Sequence, residues 1–388
     1  MNVTPTVELP GNDSYNVSTN GLDCGGEYAP IQYTVWERTL IVVISIFLSL
    51  TTIIGNIMIM ISIIIDKQLQ TISNYFVFSL AMSDFAIGLI SMPFFTMYKV
   101  LGYWLLGPHV CDTWLALDYL TSNASVLNLL IISFNRYFSV TRPLIYRVKR
   151  TTTKAAVMIG SAWGISLLLW PPWIYAWPYI EGTRTVPNNA CYIQFIETNH
   201  YITFGTAIAA FYVPVLIMCI HCFRIWRETK KRNKELPNLQ ADKQAASKRS
   251  NSSDEGLELE EIRIQRNVSS PASSTVTRRS SQMPGILNKQ PNKKKKLLKV
   301  QFDTKATKML MAILAAFVLT WTPYNVLVLI KSICSLHIPQ RLWDFCYYLC
   351  YINSTVNPVL YALCNPPFRK TYVRILKRKW HSRTARDV

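Results

Sequence analysis

Charge is scarce in this chain. Only 16% of its 388 residues are Asp, Glu, Lys or Arg, against about 25% in soluble domains, so it does not read as an ordinary soluble enzyme. Acids are the scarcer sign, with 22 Asp and Glu against 41 Lys and Arg. Basic residues are themselves missing from one end: no Lys or Arg occurs from Met1 to Glu37. The surplus therefore lies between apolar runs rather than on one domain, and nucleic acid is not the expected partner. There are five His, and nothing has the spacing of a metal-ligand set or an activated nucleophile. Neither enzyme chemistry nor a catalytic cofactor is expected. No internal repeat is evident, which argues against a transporter built from inverted halves. Met1–Gly25 also lacks the apolar core of a cleavable signal peptide, so the first apolar run is expected to be its own insertion signal.

Apolar runs, by contrast, are plentiful. Seven are long enough for a helix to span a bilayer: Thr39–Ile65, Ile72–Met97, Val110–Ser133, Ala155–Tyr179, Tyr201–Phe223, Met309–Ile330 and Leu342–Cys364, each near or above the ~20 residues required. The predicted fold is all-α, a seven-transmembrane helix bundle with a short amphipathic C-terminal helix. The connection after the third run carries Arg142, Arg147, Lys149, Arg150 and Lys154 without an acid, and the fifth connection and the tail are also basic. By the positive-inside rule these three face the cytoplasm. The N-terminus is then extracellular, where Asn2, Asn12 and Asn16 head glycosylation sequons. The expected location is the plasma membrane, multi-pass.

The chain divides into an extracellular glycosylated segment (1–38), helices 1–5 (39–227), a cytoplasmic third loop (228–302), helices 6–7 (303–364), and an amphipathic helix with tail (365–388). The loop is too polar to offset its ordering entropy and is read as disordered. Its Lys293–Lys296 run would meet anionic lipid, and Arg278-Arg279-Ser280-Ser281 is either a kinase target or solvated linker. Cys111 and Cys191 both fall on the oxidising side, where a bridge can form. Cys24 and Cys334 are also outside, with their pairing open.

Ionisable residues within spans cost about 2.5–3.5 kcal/mol even on lenient scales, so Asp84 and Asp118 draw attention first. A polar plug satisfied by neighbouring helices is an adequate account of Asp84 but a poorer one of Asp118. That residue lies about two turns below Cys111, with Ser122 and Ser125 on its face; Trp321, Tyr324, Tyr347 and Tyr351 fall at matching depth on two other spans. Each ring taken singly is ordinary packing. A carboxylate ringed by aromatic faces, however, is what a small organic cation requires. Arg136 comes eighteen residues after Asp118, five turns or about 27 Å along the same helix face. One helix thus connects an outer cation site with an inner charged one, as signalling requires.

The ordered set Gly55-Asn56, Leu80-Ala81 with Asp84, Asn135-Arg136-Tyr137, Trp163, Pro214, Trp321-Thr322-Pro323-Tyr324 and Asn357-Pro358-Val359-Leu360-Tyr361 resembles the rhodopsin-like G-protein-coupled receptors. Within them the chain looks most like the muscarinic acetylcholine receptors, through Trp114–Tyr119 with Ser122–Ser125, Thr203–Tyr212, Thr320–Asn325 and Leu349–Thr355. The resemblance implies that Asp118 holds the ammonium of acetylcholine, that Tyr119, Tyr324 and Tyr347 close over it, and that Trp321 and Tyr351 complete the cage. It further implies that Asn325 hydrogen-bonds the ester, and that Ser122, Asn123, Trp170, Thr203, Thr206, Ala210 and Cys350 line the remainder. Asp84, Ser125, Asn353, Ser354 and Asn357 match the family's sodium and water cluster, so an allosteric sodium ion is implied. Asn135, Arg136, Tyr137, Asp303 and Tyr361 match its G-protein switch, and Cys111–Cys191 its disulfide. Implied partners are acetylcholine, a heterotrimeric G protein, receptor kinases, arrestin and the lipid bilayer.

Three departures matter. Asn135 replaces the family's Asp, which grips the neighbouring Arg at rest, so raised ligand-independent activity is expected, moderated by Asp303. His337 replaces a cysteine that would pair with the one matching Cys334. No cysteine follows Cys364, so palmitoyl anchoring of the tail helix is not expected. Another biogenic amine, such as histamine, is the nearest rival ligand. Catecholamine receptors place serines where this chain has Thr203, Thr206 and Ala210, and Asn325 favours acetylcholine. Arg224–Arg232 resembles the muscarinic subtypes that couple to Gq-type proteins, although the inner start of the sixth span matches neither coupling class cleanly.

Overall fold

The computed structural model describes residues 33–234, 290–334 and 338–377, apart from the side chains at 144, 147, 149, 290–306, 333 and 334. The sequons at Asn2, Asn12 and Asn16, the loop's serines, Cys24, and His337 lie outside the described residues, as do the side chains of Lys293–Lys296, Asp303 and Cys334. Several of the described helices begin or break for a local reason. Helix α1 (Val35–Ile65) starts at a capping box, in which Thr34 and Glu37 satisfy each other's backbone N–H. Helix α2 (Ile72–Leu101) contains a π turn at Ile87–Ser91, just before Pro93, whose missing N–H breaks the regular ladder. It ends at Gly102, whose φ of +78° suits glycine.

Helix α3 (Gly107–Thr141) follows, then a short helix, Pro143–Lys149. Helix α4 (Thr152–Ile180) is interrupted at Trp170, ahead of Pro171-Pro172. Helix α5 (His200–Lys234) is capped by Asn199 and has a second π turn at Ile208–Tyr212, two residues before Pro214. Helices α6 (Gln290–Cys334) and α7 (Gln340–Cys364) contain Pro323 and Pro358, and α8 (Pro366–Leu376) ends the described chain.

The predicted all-α bundle is present. Among the described residues six helices, α1 to α6, are long and apolar enough to cross a membrane. Helix α7 has 25 residues, or about 37 Å, which exceeds a hydrocarbon core of about 30 Å. Its hydropathy is low because its polar groups turn inward: Ser354 and Asn357 bond Asp84, while Tyr347 and Tyr351 bond Asp118. Leu342, Phe345, Val359 and Leu363 face outward. Most of its polar groups bond within the protein, as a membrane span requires, and α7 is the seventh span. The helices extend past the predicted runs; α3 continues from Ser133 to Thr141.

Helix α3 is the core helix. In its most apolar stretch 72% of residues are buried, compared with 22% in α1 and α4, which therefore expose most of their surface. Helix α1 packs against α2 and α7, and α6 runs along α7. A Cβ on Gly55 would stand 2.8 Å from the Pro358 ring, so only glycine permits this approach of α1 to α7. The predicted amphipathic C-terminal helix is present. Helix α8 spans Pro366–Leu376, and Phe368 and Tyr372 are buried against the bundle, Phe368 next to Tyr361. Leu376 is exposed, and Thr371 donates to Asp66 at 2.7 Å. Part of its apolar face is therefore internal packing.

Candidate functional site

All fourteen residues that the resemblance assigns to a ligand pocket line one cavity: Asp118, Tyr119, Ser122, Asn123, Trp170, Thr203, Thr206, Ala210, Trp321, Tyr324, Asn325, Tyr347, Cys350 and Tyr351. The cavity lies at the end of the bundle where Cys111 and Cys191 are joined, with Cα atoms 5.6 Å apart. This bridge ties the segment ahead of α5 to the start of α3, which brings Ile196 onto the cavity wall.

Asp118 is 3% exposed. Its Oδ2 accepts from the Tyr347 hydroxyl at 2.7 Å and its Oδ1 from Tyr351 at 3.3 Å. No basic side chain pairs with it among the described residues. A buried carboxylate without a cation is costly, so the site is electrostatically prepared to take one. Above it the hydroxyls of Tyr119 and Tyr324 meet at 2.9 Å. Tyr324 and Tyr347 pack edge to face at 5.2 Å, as do Tyr347 and Tyr351 at 5.4 Å. Trp170 leans on Tyr119 at 4.6 Å. The resulting box presents ring faces and one charge, the combination that attracts ammonium groups.

The remaining lining is less polar than its residue types suggest. The Thr203 hydroxyl donates to the carbonyls of Phe195 and Asn199, and the Thr206 hydroxyl to that of Ile202. Both donors are spent on backbone. Asn325 donates to the Trp321 carbonyl at 3.0 Å, which fixes its amide on the wall, while Asn123 donates to Ser166 at 2.9 Å. Cys350 is buried, and Ser122 contributes to the floor. The residue-by-residue reading missed Val126, Ile196, Ala207, Phe211 and Val328, which also line the cavity. Apolar residues in apolar helices carry no distinguishing signal; only Ile196, five residues after Cys191, had a positional clue.

Deeper in the bundle Asp84 accepts from Ser125 and Ser354, each at 3.0 Å, and from Asn357 at 2.8 Å. The amide oxygens of Asn353 and Asn357 are buried without a partner. This set of oxygens (a carboxylate, two hydroxyls and orphaned amide carbonyls) fits a hard cation such as sodium. Among the described residues no cluster of His, Cys and acids suits a transition metal.

At the opposite end of α3, Asn135 donates to Ser73 at 3.0 Å and accepts from the Tyr146 hydroxyl. Arg150 reaches the same Ser73 at 2.7 Å. Asn135 therefore fastens α3 to α2 and to the Pro143–Lys149 helix. Tyr137 stacks on His221 at 4.9 Å and accepts from Arg224 at 3.2 Å. His221, which sequence reading passed over as one of five histidines, also meets Ser133 at 3.1 Å. Tyr361 is 1% exposed, with a hydroxyl that has no partner. Arg136 lies close enough to Tyr146 for its charge to act on that phenol.

Comparison with known sequences agrees with this arrangement. The family model described as 7 transmembrane receptor (rhodopsin family) matches residues 55–361. The muscarinic acetylcholine receptor DM1 of Drosophila melanogaster is 69% identical over 63% of this chain; the aligned part is 30% of that receptor's length. The muscarinic acetylcholine receptor M1 of Mus musculus is 40% identical, with 91% of this chain and 92% of the mouse protein aligned. The M2 receptor of Gallus gallus is 41% identical over 89% and 93%.

Proposed function

Because the chain belongs to the rhodopsin family of seven-transmembrane receptors and, within it, to the muscarinic acetylcholine receptors, we propose that it detects acetylcholine at Asp118 and passes the signal to a Gq-type heterotrimeric G protein. The single observation behind the ligand is the buried, unpaired Asp118 carboxylate inside a box of tyrosine and tryptophan rings. A quaternary ammonium supplies the missing positive charge and needs no hydrogen-bond acceptor. The spent hydroxyls of Thr203 and Thr206 disfavour a catechol, which needs free polar partners.

The proposal places the N-terminus and the Cys111–Cys191 end outside the cell, in the plasma membrane, on the strength of the charge placement in the connections. The pocket then opens towards extracellular ligand, and the Arg136 end meets the G protein, receptor kinases and arrestin. Gq-type coupling is supported by the Arg224–Arg232 stretch. Raised basal activity is supported by Asn135, a neutral amide already engaged by Ser73 and Tyr146. A sodium ion held by Asp84, Ser125 and Ser354, with Asn353 and Asn357 close by, would supply a fixed positive charge between α2, α3 and α7.

The test is expression in cells with a calcium readout, an amine panel and pertussis toxin. Acetylcholine should evoke a toxin-insensitive calcium rise at lower concentration than histamine or catecholamines. A response to another amine alone refutes the ligand, and a toxin-abolished response refutes the coupling.

A further inference from the structure

Two ion pairs lie one helical turn beyond the tyrosine roof, and three of their four residues, Glu197, Lys331 and Asp344, are on elements that also form the pocket wall. Glu197 directly follows Ile196, and Lys331 lies three residues past Val328; Ile196 and Val328 both line the cavity. The charged ends of Glu197 and Lys331 join, which fastens the segment ahead of α5 to α6. The Lys331 ammonium also lies over the Trp343 ring, 5.6 Å from its centre, and Trp343 meets Tyr324 edge-on at 5.6 Å. Across the mouth Asp344 sits three residues before Tyr347 and pairs with Lys99 at 2.7 Å, joining α7 to α2. Asp344 further accepts from Tyr33 and Gln340, each at 2.9 Å. The Lys99 ammonium stands 5.3 Å from the Phe95 ring centre and 5.1 Å from that of Tyr98, while Phe95 stacks on Tyr347 at 4.4 Å.

Carboxylates beside ring faces are what a second organic cation would need at the mouth of this pocket. Here the protein's own lysines occupy them. We propose that Lys99 and Lys331 are specificity-determining residues that clasp the mouth over Asp118, slow the departure of a bound ammonium ligand, and reject ligands carrying a second ammonium group outward. The inference rests on the reading of Asp118 as the ammonium site. A second cation would have to displace a lysine from both its carboxylate and its ring while standing against like charge. The two clasps differ in depth: the Lys99 and Asp344 side chains are 14% and 7% exposed, those of Lys331 and Glu197 28% and 38%. The outer clasp is therefore the one that opens at less cost, because an exposed pair is worth little.

The test uses the full-length receptor in membranes, with a radiolabelled quaternary antagonist and a matched pair of mono- and bis-quaternary competitors. Lys331→Ala should speed antagonist dissociation about five-fold. It should also raise the affinity ratio of the bis- over the mono-quaternary competitor about ten-fold, because Glu197 and the Trp343 face become available. Exchanging the charges, with Glu197→Lys and Lys331→Glu together, should slow dissociation again. Lys99→Leu should act in the same direction; if it fails to reach the surface, the more exposed Lys331 carries the test. Unchanged dissociation and an unchanged competitor ratio in Lys331→Ala overturn the inference and leave the Asp118 site standing. No antagonist binding to surface-expressed wild type overturns both.

Discussion

Replacing Asp118 with Asn removes one negative charge and almost no volume, which makes it the sharpest probe of the pocket. An ammonium about 4 Å from the carboxylate is stabilised by about 4 kcal/mol at an effective dielectric constant of 20. Some of this is offset, because the unliganded protein no longer buries an uncompensated charge, a relief of about 1–2 kcal/mol. The net loss is about 2–3 kcal/mol, or roughly 100-fold in affinity. The Asn variant should fold, since its amide oxygen can still accept from Tyr347 or Tyr351, which now bond Asp118 at 2.7 and 3.3 Å. The assay is competition binding at matched surface expression, comparing a quaternary ligand with its neutral isostere in which carbon replaces the ammonium nitrogen. The charged ligand should lose about 100-fold while the isostere stays within about 3-fold. Equal losses for both would mean that the substitution acts through the shape of the pocket. No loss for either would mean that Asp118 does not hold the cation, and the ligand assignment would fall.

Tyr347→Phe removes the shorter of the two hydrogen bonds to Asp118; a bond to a charged group is worth about 1.5–3 kcal/mol, so agonist potency should fall about ten-fold in a calcium assay. Gly55→Val would drive a side chain into Pro358, whose ring lies 2.8 Å from a Cβ at that position; overpacking of this kind costs about 1–3 kcal/mol, so the melting temperature of the detergent-solubilised receptor should drop by several degrees. Asn135→Asp should lower ligand-independent signalling, measured as inositol phosphate accumulation without agonist, because a carboxylate grips the neighbouring arginine more strongly than an amide does. An equal or higher basal level would remove the proposed cause of raised activity.

How much of this was legible in the sequence depended on how far each feature was local. The spans were visible because membrane thickness dictates the length of an apolar run, and even polar α7 stood out as 23 residues from Leu342 to Cys364. Their ends were not visible: α3 continues to Thr141, past the apolar run, because hydropathy reports where lipid ends and not where the helix does. The π turns at Ile87–Ser91 and Ile208–Tyr212 were hidden as well, although Pro93 and Pro214 mark both places. Polar residues and the tyrosines and tryptophans of the pocket stood out against an apolar background, whereas Val126 and Val328 did not. The mouth clasps were invisible for a different reason. Lys99 and Lys331 read as ordinary basic residues near the ends of spans, and only folding brings them to Asp344 and Glu197, hundreds of residues away in the case of Lys99.

Two buried carboxylates tie the same pair of helices together at different depths. Asp118 on α3 is held by Tyr347 and Tyr351 of α7, and Asp84 on α2 by Ser125 of α3 with Ser354 and Asn357 of α7. A cation at Asp118 competes for the carboxylate that the α7 tyrosines now share, so it must alter the tie between α3 and α7. Packed helices respond by shifting between discrete arrangements, and the Asp84 cluster spans the same two helices further along. Asp84→Asn should therefore be felt at the ligand site, since a side-chain amide offers one acceptor oxygen where a carboxylate offers two, and Asn357 or the serines lose a partner. Coupling between sites is typically 1–3 kcal/mol, so agonist potency should shift by about ten-fold or more while the affinity of an antagonist that binds both arrangements equally stays within about two-fold. By reciprocity a cation at Asp84 should bind with different affinity when agonist is present. If agonist potency, maximal response and antagonist affinity are all unchanged in the variant, the two carboxylates act independently and α7 does not carry the signal between them.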